Sequence, residues 1–238
     1  MSDNVMIDQI RDLILRRVLV PGQRVRQAEV ADMLNVSRSP IREALQGLEA
    51  EGLVTYQRNR GYVVTRLSAG LLQQAYRMRE LLETELLQSI CWPDQDTFNR
   101  LKELESALVQ AKDSVNHLVR LNREFHFAIF ALAEMSLFEE EVGRLWRLTE
   151  PYRAVYLVSE TTREEIIREH QMILECLSQR DRDLLLILTA QHRKKSEVYL
   201  TKFLEEEEFS ALTDDYIHVA SGLRFAEPDS DEAVVLGG

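Results

Sequence analysis

Three histidines in the second half of the chain have the surroundings of metal ligands. His126, His170 and His192 each lie among apolar residues that recur at helical spacing; His192, for example, continues a stripe with Leu185 and Tyr199. All three are therefore expected to face inward, and imidazoles on facing helices of a bundle can converge on one metal ion. Taken singly, each also fits a hydrogen-bonded histidine of an apolar core, and the sequence does not show that they meet.

A second group of residues has the chemistry needed to contact DNA. Polar side chains lie at the start of a short segment with helical spacing, which is the end that a recognition helix places in the major groove. Arginine there can bridge O6 and N7 of guanine or bind a phosphate. Proline is tolerated in the first turn of a helix, and either serine can cap it. These residues are Ser37, Arg38, Ser39, Pro40 and Arg42.

The neighbouring sequence predicts a helix-turn-helix that presents these side chains. A helix is expected from about Ala28 to Leu34, followed by a turn at Asn35 and by the helix that begins near Ser37. A first helix, predicted over Val5–Val20, packs against this pair and ends before a Pro-Gly dipeptide.

The period of the pattern then changes from helical to alternating, which predicts a β-hairpin over Leu53–Leu67. Arg58 and Arg60 lie at its tip, and Gly61 can adopt the backbone conformation that a tight turn needs. We interpret the tip as a contact to the minor groove or to phosphates, and the alternative is a solvated basic turn.

From Leu71 onward the periodicity is helical nearly to the end, which predicts an all-α antiparallel bundle. Pro151 is expected either to kink its helix or to split it. The expected helices are Leu71–Cys91, Asp94–Lys112, Val115–Ala133, Leu137–Val158, Arg163–Gln179 and Asp183–Glu206. The fold class is thus mainly α, with an N-terminal winged helix-turn-helix followed by the bundle.

This pattern divides the chain into two domains and a tail. Residues 1–68 are expected to bind DNA, residues 69–208 to form an effector-binding domain, and residues 209–238 to be an acidic tail. Within that tail, Glu227–Gly238 is predicted to be disordered because it is acidic and lacks apolar periodicity.

Composition and charge distribution agree with this division. The 238 residues carry a net charge of −11. Residues 1–68, however, contain ten arginines against eight acids, so the acidic remainder is not expected to touch DNA. The two cysteines, Cys91 and Cys176, form no CxxC motif, and no apolar run is long enough to span a membrane. A cytoplasmic protein with reduced thiols is expected.

Three N-terminal runs carry a resemblance to a known family. They are Pro21–Val25, Val36–Leu45 and Leu48–Val54. Together they resemble the winged helix-turn-helix of the GntR family of bacterial transcription regulators. The resemblance implies that Arg24 and the Arg60-Gly61 pair at the wing tip lie against DNA.

Three runs in the second half resemble the signature pieces of the FCD domain, the helical effector domain of FadR-type GntR regulators. They are Asn122–His126, Glu169–Leu174 and Ala190–His192. Many such domains bind a divalent metal through an acidic residue and three histidines, so the resemblance implies four ligands here. They are Asn122, His126, His170 and His192. Asparagine replaces the usual aspartate, and this neutral set suits zinc or nickel better than magnesium or calcium.

The resemblance also gives Arg79 a role, because it matches a recurrent arginine of the first effector-domain helix. It would bind the carboxylate of a small organic acid near the metal. The alternative is a salt bridge with Glu83 or another acid.

We therefore expect a ligand-responsive transcription regulator, a repressor that binds a palindromic DNA operator as a homodimer. Three alternatives remain from the sequence: a metal-free regulator that responds to an acyl chain, a DNA-bound scaffold without a ligand, and a metal-dependent hydrolase. Against the hydrolase, the chain contains no HExxH and no GxSxG motif.

Overall fold

The structure is a computed structural model that describes residues 2–111 and 114–222. These residues form α-helices and one two-stranded hairpin, with a short 3₁₀-helix at Ala131–Ala133. The helices are α1 (Ser2–Leu15), α2 (Gln27–Leu34), α3 (Arg38–Ala50), α4 (Ala69–Ser89), α5 (Gln95–Gln110), α6 (Val115–Phe130), α7 (Ser136–Tyr156), α8 (Glu160–Gln179) and α9 (Arg182–Gly222). The strands are β1 (Val54–Gln57) and β2 (Gly61–Val64).

α2 and α3 form the helix-turn-helix that the sequence predicts. Asn35 ends α2 in the left-handed conformation with a φ of 54°, which asparagine tolerates better than most residues. Ser37 precedes α3, although its side chain makes no capping hydrogen bond. Buried apolar side chains, including Ile10 and Leu45, join α1 to this pair in one small core.

The hairpin also has the expected form. β1 and β2 are antiparallel, and Gln57 pairs with Gly61 across the turn. Asn59 and Gly61 both have a φ of 76°, so the turn needs residues that accept a left-handed backbone.

α4 to α9 form the predicted helical bundle around a second, larger apolar core. α4 and α9 run antiparallel: the N–H of Ala69 donates to Glu208, while Arg182 donates to carbonyls at the far end of α4. α7 continues through Pro151 as a single helix, so of the two expected effects this proline does not split the helix. No helix of the described residues has the length and apolar character to cross a membrane.

Several helix ends differ from the predictions. α1 ends at Leu15, five residues before Val20, and Arg17 follows in a left-handed conformation. α9 continues to Gly222, well beyond the predicted end at Glu206. Lys112 and the segment 227–238 lie outside the described residues.

The two parts of the chain meet around α7. The backbone N–H of Leu67 donates to the Tyr152 hydroxyl over 2.7 Å, and Ser68 then caps α4 by accepting from the N–H of Leu71. Arg147 Nε lies 3.8 Å from Glu51, just beyond α3. The division at residues 68 and 69 remains a prediction, but the interface itself is built from specific contacts.

Candidate metal centre and nucleic-acid interface

The fold brings the three inward-facing histidines together. His126 Nε2, on α6, lies 3.2 Å from Nε2 of His170 on α8 and 3.2 Å from Nε2 of His192 on α9. One ring nitrogen from each residue lies within 4.8 Å of the other two. Tyr199, which was expected to face inward with His192, is instead 45% exposed and packs beside Tyr156.

Burial keeps His126 and His170 neutral at ordinary pH. The pKa values of His126 and His170 are held well below 6.5, first by desolvation and then by the neighbouring histidines. Neutral imidazole is the form that binds a metal. Nε2 of His126 faces Nε2 of both His170 and His192. A single proton cannot serve both of these nitrogen pairs, whereas a shared cation can bind all three nitrogens.

An acidic partner orients His192 from outside the cluster. Its Nδ1 lies 2.6 Å from Glu169, and Lys195 also bonds to this carboxylate. Although burial alone would raise the pKa of Glu169, the hydrogen bonds from His192 and Lys195 lower it. The carboxylate must therefore accept, so His192 carries its proton on Nδ1 and leaves the Nε2 lone pair for a ligand.

Glu105, on α5, occupies a similar position behind His170. One of its oxygens lies 3.5 Å from His170 Nδ1. Neither the Glu105 carboxyl nor His170 Nδ1 makes a hydrogen bond in the structure. Burial raises the pKa of Glu105 to about 8, so it is protonated at neutral pH. A small shift would let these two groups bond.

Asn122 lies one helical turn before His126 and is also buried. Its Oδ1 has no hydrogen-bond partner, which is costly for a buried amide oxygen. It lines the same small cavity as His192. The amide oxygen of Asn122 would add a fourth donor to the three imidazoles, in a set that zinc or nickel accepts.

The nitrogen spacing also fits a metal. With zinc–nitrogen bonds of about 2.1 Å, a separation of 3.2 Å between two nitrogens corresponds to an angle of about 100° at the ion. That value lies between the octahedral and tetrahedral angles. The residues present therefore fit a divalent metal.

Arg79 fits both of the roles that the sequence allows. Its Nε donates to Glu83 over 2.7 Å, so the salt bridge is present. It is 3% exposed, its Nη1 has no hydrogen-bond partner, and it lines the cavity beside Asn122 and His192. The same side chain is thus anchored at one end and has an unused donor at the other.

The residues proposed for DNA contact lie on one exposed part of the molecule. Ser37, Arg38, Ser39 and Arg42 are exposed at the start of α3, where Pro40 is half-buried. Arg58 and Arg60 are exposed at the hairpin tip beside the half-buried Gly61, and exposed Arg24 pairs with Val63 of β2. Within the described part of the chain, none of these five arginines has a carboxylate within 4 Å, although Arg60 donates to the Gln57 side chain over 3.5 Å. Their charges are therefore available for phosphates or bases.

Sequence reasoning missed several residues of the bundle site. Glu169 and Glu105 act behind the histidines, and Arg153 and Arg193 line the cavity beside Arg79. Two of these residues could have been found because they are direct neighbours of candidate ligands in the chain: Glu169 precedes His170, and Arg193 follows His192. For Arg153 and Glu105 the sequence offers no comparable signal.

Comparison with known proteins gives two consecutive family matches. The model of the FCD domain matches residues 74–195, and the model described as bacterial regulatory proteins, gntR family, matches residues 4–64. The matches leave nine residues between them, around the contact of Leu67 with Tyr152.

Individual relatives agree with these matches. The Nta operon transcriptional regulator of Aminobacter aminovorans is 28% identical over 179 residues, which cover 74% of this chain and 83% of the relative. The HTH-type transcriptional repressor RspR of Escherichia coli is 24% identical, covering 77% of this chain and 82% of the relative. The solved structure of E. coli McbR/YncC has the same fold, with a TM-score of 0.72 at 20% identity over 85% of this chain and 98% of that one.

These relatives are transcription regulators and not enzymes, so the hydrolase alternative is set aside. The winged helix-turn-helix supplies the DNA-binding part of such a regulator. Since the FCD match alone covers half of the chain and the gntR match precedes it, the chain belongs to the GntR family of bacterial transcription regulators, with an FCD domain as its second part.

Proposed function

We propose that the protein is a ligand-responsive repressor that binds a palindromic operator as a homodimer and senses a small carboxylate at a metal centre in its bundle. The observation that carries the sensing half is the convergence of three imidazoles in the FCD domain, and it is supported by the unpartnered amide oxygen of Asn122 one helical turn before His126. The repressor role is supported by one relative, RspR of Escherichia coli, which is a transcriptional repressor by name. A DNA-binding regulator acts where the chromosome is, so we assign it to the bacterial cytoplasm.

The homodimer follows from what one recognition helix can read. α3 presents few side chains at its N-terminal end, enough for part of one half-site. Two-fold symmetry would place two copies on the two halves of a palindrome. Sedimentation of the purified protein should give twice the chain mass of 27.6 kDa.

The metal would be zinc or nickel, held by His126, His170, His192 and Asn122. The ion would supply a positive charge and a coordination position for an oxygen of the effector. Arg79 would donate its free Nη1 to the effector, while Glu83 holds the rest of the guanidinium in place. A metal assay on protein purified without added metal distinguishes this centre from the metal-free alternative with an acyl ligand.

Effector binding would change DNA affinity through α7. This helix contributes Trp146 and Arg153 to the cavity, and it contacts the N-terminal part through Arg147 and Tyr152. A ligand that prefers one arrangement of α7 would therefore prefer one arrangement of the two DNA-binding parts.

The DNA assignment is tested by footprinting the region upstream of the protein's own gene. Arg38→Ala and Arg42→Ala should each weaken specific binding by about 1–3 kcal/mol. Arg100→Ala is the matched control, because it removes an equally exposed arginine from α5 in the bundle. Unchanged specific binding by both α3 variants would contradict the docking model.

A further inference from the structure

A small cavity beside the histidines is surrounded by positive charge. Its volume is about 20 Å³, and Arg79 from α4, Arg153 from α7 and Arg193 from α9 line it together with Asn122 and His192. All three arginines are at least nine-tenths buried. No aspartate or glutamate is among the described residues that line this cavity.

One carboxylate partly balances these three cations. Glu83 accepts from Arg79 Nε over 2.7 Å, from Arg193 over 3.0 Å and from the indole N–H of Trp146 over 2.7 Å. Its two oxygens are thus already engaged. Glu150 is the other acid near Arg153, but it forms no ion pair within 4 Å in the described structure, and burial raises its pKa.

Arg153 is the cation left without a carboxylate. It stacks over Trp146 at 3.9 Å and donates Nη2 to the Trp146 carbonyl, while Nε and Nη1 have no hydrogen-bond partner. Burial, and then the nearby Arg79, lower its pKa to about 10. A buried cation with unused donors is destabilising, so a partner that is not part of the protein would account for its retention.

We infer that the effector carries two anionic groups, as a short dicarboxylate does. This inference rests on the proposed function, in which one carboxylate lies at the metal and Arg79. The second anionic group is bound by the free N–H groups of Arg153, with Arg193 close by. The three arginines and Glu83 leave two excess positive charges even before a metal ion is counted, and the second anionic group reduces that excess.

A dicarboxylate requires more space than the present cavity, which is large enough for about one water molecule. Tyr156 lines both this cavity and an open groove of about 710 Å³ on the surface, so it is the side chain between them. The groove is lined by three lysines, Lys194, Lys195 and Lys202, and by one acid, Glu165, among the described residues. An anion would enter from this side when the Tyr156 side chain moves.

The test compares diacids with their monoamides on the full-length protein loaded with zinc. Malonate, succinate and glutarate are titrated against malonamate, succinamate and glutaramate at constant ionic strength, and binding is measured from the rise in Tm. At least one diacid should bind about tenfold or more tightly than its monoamide, because a charge-assisted hydrogen bond is lost in the amide. Arg153→Gln should abolish that difference, whereas the exposed Arg168→Gln on α8 should keep it.

A second measurement excludes a purely structural role for Arg153. Without ligand, Arg153→Met should leave Tm unchanged or raise it, because the variant removes an unbalanced buried charge and keeps an apolar contact with Trp146. Arg79→Met should lower Tm, because it takes a partner from buried Glu83. A fall in Arg153→Met as large as that in Arg79→Met would overturn the inference.

The outcomes separate this inference from the proposed function. Equal stabilisation by diacids and monoamides, or no preference for any diacid of the series, would overturn the inference that the effector is a dianion. It would leave the proposal of a carboxylate-responsive regulator in place. Loss of zinc binding together with no response to any carboxylate would overturn both. A diacid preference that depends on Arg153 would support the inference.

Discussion

Replacing His126 with alanine tests the metal centre most directly. Its Nε2 is the atom that lies 3.2 Å from both other histidines, so His126→Ala removes the ligand common to both close pairs. Loss of an outer-shell partner alone typically costs about 10–100-fold in metal affinity. We expect loss of this ligand to weaken zinc binding by more than about 100-fold.

The corresponding change in stability is large enough to measure. A metal present at about 1,000 times its Kd stabilises the folded state by about 4 kcal/mol. For a chain of this length each kcal/mol shifts Tm by about 2–4 °C, so zinc should raise the Tm of the natural protein by roughly 8–16 °C. In His126→Ala at the same zinc concentration, a roughly 100-fold weaker site leaves about 1.4 kcal/mol, so the rise should be at most about 3–6 °C.

The assay records thermal unfolding with zinc and with a chelator, and the two Tm values are subtracted within each variant. Destabilisation from the cavity left by alanine then cancels. His117→Ala is the control, because this histidine is exposed on the same helix. A normal zinc-dependent rise in His126→Ala, or an equal loss in His117→Ala, would refute the metal centre.

Three further predictions test neighbouring features. Asn122→Asp should bind zinc at least about tenfold more tightly, because it adds a negative charge among the ligands. Competition with a chromogenic chelator measures this affinity. Equal affinity of the two proteins would contradict the placement of Asn122 at the ion. Because the folded-state pKa of Glu105 is raised to about 8 from 4.5, its stabilising contribution is complete below pH 4.5 and declines as pH rises toward 8. Urea unfolding of metal-free protein should therefore show that stability relative to Glu105→Gln falls between pH 5 and 8, and a constant difference would contradict the buried, protonated carboxyl. Glu134→Gly should stabilise the protein by about 1 kcal/mol, because exposed Glu134 has a φ of 55°. The control Glu103→Gly, inside α5, should destabilise the protein by about as much. Calorimetry that finds the same sign for both changes would contradict the left-handed turn.

The sequence was sufficient for the order and type of the elements because periodicity reports directly on burial. The helix-turn-helix, the hairpin and the six helices of the bundle were all predicted. The ends were less predictable: Arg17 stops α1 through a left-handed conformation that its residue type does not indicate, and four successive glutamates at 205–208 interrupt the apolar pattern within α9. Such a charged run resembles a helix end although the helix continues through it.

The site shows a similar limit. The inward face of each histidine could be predicted from its own helix, and the family resemblance brought the four candidate ligands together. The cations around the cavity could not be predicted, since arginine is usually a surface residue and the sequence alone does not show a buried charge. Arg153 lies near Arg79 only because α7 packs against α4, a contact between residues far apart in the chain.

One consequence of the single uninterrupted α7 concerns hybrid regulators. Trp146 and Arg153 line the cavity, while Arg147 and Tyr152 on the same helix contact the other part of the chain. Their partners there are Glu51 and Leu67. A chimera that grafts this bundle onto a foreign DNA-binding head, spliced only at the junction, would keep both parts yet lose the proposed communication between them unless those two positions were transplanted too.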